Sequence, residues 1–224
     1  MIIPKDSLFG LTILVAGVIA LIKFNKISTL FYPFIFCVWA AGLNEILSYL
    51  LWKTGHFTTI NNNIYVLAES VLFTLFFRNT GIFEKFPKLP VTLMAGFIFL
   101  WSWENFYFGK ITYVSSWFRI VYSFIIVLMS ITTVNRLLIL DLNEPLEASP
   151  PVIKNPVLLI CIGSVAYFTF KVLVEIFWLY GLNAGKEFRN NVYEILAYVN
   201  LAANLIYALA ILWAPPKQPY MTRY

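Results

Sequence analysis

Histidine, aspartate, cysteine and charge are all scarce in this chain, and each scarcity removes a class of chemistry. The one histidine, His56, cannot build the three-histidine zinc site of a membrane hydrolase, and a Ser-His couple would require it to fold down onto Ser48, Ser115 or Ser116. The aspartates, Asp6 and Asp141, fall outside the apolar runs and on opposite sides of them, which excludes an intramembrane aspartyl dyad. Cys37 and Cys161 both lie within apolar runs, where a lone thiol packs as a small hydrophobe. No glycine-rich phosphate loop, haem-attachment motif or iron-sulfur spacing is present, so no cofactor is expected. The carboxylates Glu45, Glu69 and Glu194 lack the spacing of a metal site, and no metal is expected either.

What is abundant is apolar surface. With 60% hydrophobic residues, 18% aromatic and 12% charged, the composition lies outside the balance of a soluble domain. Crossing about 30 Å of hydrocarbon takes roughly 20 apolar residues in a helix. Runs of that kind predict an all-α integral membrane protein, a single seven-helix domain over residues 1–224. The helices are expected at Leu8 to Phe24, Thr29 to Trp52, Ile60 to Arg78, Pro90 to Phe108, Val114 to Leu137, Asn155 to Tyr180 and Asn190 to Trp213. Turn residues punctuate the gaps, as in Lys53-Thr54-Gly55, Phe86-Pro87-Lys88 and Gly181-Leu182-Asn183. The first run reads as a retained helix rather than a signal peptide, because Asp6 follows Lys5 and no small-residue cleavage site follows the run.

Orientation follows from the distribution of Lys and Arg at the helix ends, since cytoplasmic loops retain positive charge. With the N-terminus outside and the C-terminus cytoplasmic, the inner side holds Lys23, Lys26, Arg78, Lys85, Lys88, Arg136, Lys154, Lys217 and Arg223. The outer side holds only Lys5, Lys53, Lys110, Lys186 and Arg189, which favours this orientation. The net charge of +5 is accounted for by such anchoring, and nucleic acid is not expected as a partner.

That orientation places the charges inside the apolar runs toward one side. Glu45, Glu69, Glu104, Arg119, Lys171, Glu175 and Glu194 all map to the outer half or the middle of their helices. A charge in hydrocarbon costs at least about 2.5–3.5 kcal/mol on insertion scales, so these groups must face one another, water or a ligand. Helical spacing gives inward stripes: Asn44, Glu45 and Ser48; Asn61, Asn62, Tyr65 and Glu69; Ser115, Arg119, Tyr122 and Ser123; Tyr167, Lys171, Glu175 and Trp178; Tyr193, Glu194, Ala197, Asn200 and Asn204. Lys171 and Glu175, four residues apart, can pair on one helix, and Arg119 can reach Glu69 or Glu45.

Two readings of the stripes compete. Polar and paired groups serve as interhelical glue worth about 0.6–2 kcal/mol per contact, which suits the neutral Asn200, Asn204, Ser130 and Thr133. Glue accounts less well for the carboxylates, which outnumber Arg119 and Lys171 and call for protonation, water, or a bound cation or amine. A ligand pocket follows, formed by Glu45, Glu69, Tyr65, Arg119, Tyr122, Tyr167, Lys171, Glu175, Glu194 and Asn200. Three functions fit: a ligand-binding sensor or signalling accessory subunit without an output domain, a small-solute transporter, or an enzyme acting on a lipid head group through Glu acid-base chemistry. The sensor is favoured over catalysis because no catalytic constellation is evident. Expected partners are membrane lipids, a small-molecule or lipid ligand from the outer side, and a protein docking on the acidic, proline-rich cytoplasmic segment 141–154.

Overall fold

The computed structural model describes residues 10–143, 154–179 and 186–217, with only the backbone described at 140–143, 186–190 and 193. Most of the docking segment expected at 141–154, the turn 181–183, Lys5, Asp6 and the tail after Lys217 therefore lie outside the described residues.

Among the described residues, seven α-helices follow in order: α1 Ile13–Lys23, α2 Tyr32–Lys53, α3 Thr59–Asn79, α4 Leu89–Ser102, α5 Ser116–Asn143, α6 Pro156–Leu179 and α7 Lys186–Trp213. Helix α4 continues as a π-helix, Trp103–Phe108. Helix α5 runs on through Asn143, so the first residues of the expected 141–154 connection belong to a helix. Five segments are long and apolar enough to cross a membrane: Thr29–Lys53, Thr59–Asn79, Ser116–Ile139, Pro156–Leu179 and Glu194–Trp213. Helices α1, with 11 residues, and α4, with 14, are shorter. Large apolar side chains such as Ile22, Leu43, Ile64, Phe99, Phe124 and Leu205 stand exposed on the periphery, as hydrocarbon as solvent would require.

Local chemistry sets the helix ends. Pro33, Pro90 and Pro156 sit in first turns, where a missing N–H costs nothing. The Asn155 side chain accepts from the N–H groups of Val157 (3.0 Å) and Leu158 (3.3 Å), capping α6. Gly55 and Gly81, with φ of 77° and 82°, follow α2 and α3 in the left-handed region that releases a chain from a helix.

Helix α1 packs against α2 and α7, α2 against α3, α3 against α5, α5 against α6, and α6 against α7, closing a ring, while α4 lies outside it against α3 and α5. Backbone pairing of Ser28 with Pro215 (3.1 Å) and of Ile27 with Pro216 fastens the end of α7 to the α1–α2 connection. The Lys23 ammonium donates to the carbonyls of Ile211 and Leu212, a cation placed at a helix C-terminus.

The ring interior divides lengthwise. Phe34, Phe73, Phe76, Phe77 and Phe168 form a dense aromatic layer, with Phe73 edge-on to Phe168 at 5.3 Å and Phe34 edge-on to Tyr207 at 5.2 Å. Such pairs contribute about 0.5–1.5 kcal/mol each beyond area burial. Above this layer, toward the end shared by the C-termini of α2 and α6 and the N-termini of α3, α5 and α7, the interior turns polar.

Candidate functional site

Glu69 on α3 is 3% exposed, and its carboxylate is surrounded by donors. The Tyr65 hydroxyl donates to Oε1 at 2.7 Å, the Tyr122 hydroxyl to Oε2 at 2.6 Å, and the Lys171 ammonium to Oε2 at 3.1 Å. Lys171 also donates to the Tyr122 hydroxyl, which closes a triangle linking α3, α5 and α6. The ammonium lies 5.1 Å from the Tyr122 ring centroid, 5.2 Å from Tyr167 and 5.4 Å from Phe168, so aromatic faces add to its compensation. A buried cation and anion this fully hydrogen-bonded fix the rotation of three helices.

A second centre is organised by Asn63, which is fully buried. Its amide donates to the carbonyls of Ile111 (3.0 Å) and Tyr113 (2.6 Å), and its backbone carbonyl accepts from the Trp101 indole at 2.8 Å. Asn105 lies in the π-helix, where the widened turn leaves it 2% exposed, and accepts from Ser115 at 2.9 Å. Arg119 reaches this centre through Asn63 Oδ1 (3.3 Å) and pairs with Glu175 at 3.4 Å, while its Nε is buried without a partner. Glu104 accepts from the N–H groups of Trp117 (3.0 Å) and Phe118 (2.7 Å), so its charge sits on the positive end of α5. A third cluster, Asn44, Ser48, Asn61 and Asn62, joins α2 to α3, with Asn44 donating to Asn62 at 3.0 Å and Asn61 to Asn44 at 2.8 Å.

Beside these clusters opens a cavity of about 390 Å³ whose walls include Asn44, Glu45, Asn62, Tyr65, Arg119, Tyr167, Lys171, Glu175 and, at its rim, Trp178. A smaller pocket of about 60 Å³ lies deeper, bounded by Glu45, Tyr65, Glu69, Tyr167, Asn200 and the aromatic layer. Glu45, Tyr65 and Tyr167 line both spaces. The Glu45 carboxylate lies so close to the backbone of Gly10 that a Cβ there would stand 2.5 Å from Oε2. Among the described residues it makes no hydrogen bond or ion pair.

The residues expected to form a pocket therefore divide. Glu45, Tyr65, Arg119, Tyr167, Lys171 and Glu175 line the larger cavity, Glu69 and Asn200 line the deeper one, and Tyr122 stands fully buried behind the Glu69–Lys171 pair. Glu194 is exposed, lines neither space, and has a partner of its own. The pairing differs from the intrahelical spacing argument: Lys171 pairs with Glu69 across the bundle and Arg119 with Glu175, leaving no Lys171–Glu175 bond. Asn63 and Asn105 did not stand out in the sequence. Of three consecutive asparagines, Asn61 and Asn62 turn toward α2, and helical geometry then sends the third toward α4 and α5, a divergence that a run Asn61-Asn62-Asn63 carries as a signal.

Among the described residues no group of three or more His, Cys, Asp or Glu side chains could hold a metal ion. No family model, curated protein or solved structure gives a significant match to the chain.

Proposed function

We propose that the chain is a seven-span protein of a cell's inner or plasma membrane, N-terminus outside and C-terminus cytoplasmic, that binds a ligand in a chamber in its outer half. It acts as a sensor or signalling accessory subunit and passes a helix shift to a protein partner at the cytoplasmic connection 141–154. Spans by α1 and α4 are supported by the apolar run starting at Leu8 and by the Leu89–Phe108 helix, whose 14 α-helical residues cover about 21 Å at 1.5 Å each before the π-helical turns extend it.

The observation that carries the reading is convergence: residues from α2, α3, α5 and α6 bring ionisable and aromatic groups around one cavity. Its volume falls within the range of about 300–1,000 Å³ typical of small-molecule sites. The aromatic layer beneath it favours binding over passage, since Phe34, Phe73 and Phe168 close the far side of the deeper pocket. Transport is the second reading, favoured by the deeper space that borders the chamber across the shared side chains Glu45, Tyr65 and Tyr167.

Native mass spectrometry of protein extracted gently from its host membrane tests the proposal. A reproducible added mass that is lost when the chamber wall is altered by Tyr167→Ala is expected. A bare chain, or one carrying only heterogeneous bulk lipid, would overturn the ligand reading in favour of interhelical glue.

A further inference from the structure

We propose that the chamber selects small organic cations, with Glu45 as the counter-charge. The inference rests on the reading of the cavity as a ligand site and adds the charge class of its occupant. The other acidic and basic groups on or behind the chamber wall are already matched: Lys171 by Glu69 and Arg119 by Glu175. Glu104 is held by the N-terminus of α5 and does not line the cavity. Among the described residues that line the chamber, Glu45 alone carries a charge with no partner, and it borders the deeper pocket as well. Arg119 keeps an unpartnered Nε, but its charge and that of Lys171 are each offset by a carboxylate, so the uncancelled charge facing the chamber is that of Glu45.

Geometry narrows the class further. A hard divalent ion takes six to eight oxygens, whereas this wall offers one free carboxylate and, among the described residues, no metal-ligating cluster. Apart from the amides of Asn44 and Asn62, which bond to each other, the remaining lining is apolar or aromatic, from Val66, Val114, Val174, Leu196, Tyr65, Tyr167 and Trp178, which suits a carbon skeleton attached to an ammonium group. The space of about 390 Å³ exceeds what a lone inorganic ion would fill.

The chamber's charge preference can be read with two small probes of opposite charge. A single cysteine at Val174, in a background with Cys37 and Cys161 replaced by alanine, is placed in lipid nanodiscs. It is reacted with two methanethiosulfonates of similar size, one bearing trimethylammonium and one bearing sulfonate. Rates are normalised to His56→Cys in the exposed α2–α3 connection. The normalised ratio is expected to favour the cation by about tenfold or more, as one uncancelled charge lining the same low-dielectric cavity dictates. Glu45→Gln is expected to bring the ratio close to one, whereas Glu84→Gln at the opposite end leaves it unchanged. Val66→Cys repeats the measurement should Val174→Cys fold poorly, and Glu45→Ala should Glu45→Gln. A ratio favouring sulfonate, or one unmoved by Glu45→Gln, overturns the cation assignment while leaving a ligand chamber in place. Failure of both reagents to reach both cysteines overturns the chamber itself.

Discussion

Replacing Glu69 with Gln separates an ion-paired chamber from ordinary interhelical hydrogen bonding. Glu69 and Lys171 are 3% and 7% exposed and meet at 3.1 Å, with two tyrosine hydroxyls filling the remaining carboxylate positions. Gln offers one acceptor oxygen where three donors converge, turns its NH₂ toward one of them, and leaves the Lys171 ammonium without a counter-charge. Breaking a buried pair this way costs about 3–5 kcal/mol, against about 0.6–2 kcal/mol for a neutral hydrogen bond between membrane helices. Lys171→Met alone should cost less, because Glu69 keeps Tyr65 and Tyr122 as donors. The double variant Glu69→Gln/Lys171→Met should be more stable than Glu69→Gln alone, with a coupling energy of ~2–4 kcal/mol. Reversible unfolding in mixed micelles gives all four corners of the cycle. A Glu69→Gln cost below about 2 kcal/mol, additive with that of Lys171→Met, would refute a charged pair and reduce the triangle to glue.

Other substitutions probe the supports of the site. Asn63→Leu strands the carbonyls of Ile111 and Tyr113 and removes a partner of Arg119, so a loss of about 2–5 kcal/mol is expected in the same unfolding assay. Glu104→Ala uncaps α5 and should cost about 1 kcal/mol, read most locally as faster amide exchange at Trp117 and Phe118. Gly163→Ala would place a Cβ 2.8 Å from the Tyr207 ring, and a loss of about 1–3 kcal/mol should appear as a lowered melting temperature, relieved by Tyr207→Leu.

The helices were legible because hydrocarbon imposes a length and a composition on any segment that crosses it, and α2, α3, α5, α6 and α7 carry both. The polar stripes were legible from helical spacing, which brings Glu45, Tyr65, Arg119, Lys171 and Glu175 to one cavity wall. Pairing was not legible. Whether Lys171 turns to Glu175 on its own helix or to Glu69 across the ring depends on the rotation of α6 and the order of its neighbours, and neither is written in local spacing. The same holds for Asn63, whose role depends on α4 and its π-turn lying outside the ring against α3 and α5. Glu194 shows the converse: a charge at the head of a helix reads as an inward group from sequence, yet its side chain stands exposed.

Water access from the outer surface is the central physical requirement of the proposed site, and neighbouring residues on α6 offer a direct measurement. Val174 lines the chamber and is 8% exposed, whereas Leu173 faces the periphery and is 44% exposed. In intact cells, a membrane-impermeant thiol reagent should label Val174→Cys from outside and leave Leu173→Cys, in lipid, unmodified. Labelling of Leu173→Cys but not Val174→Cys, or labelling of Val174→Cys only after the cytoplasmic face is opened, would contradict an outward-facing chamber.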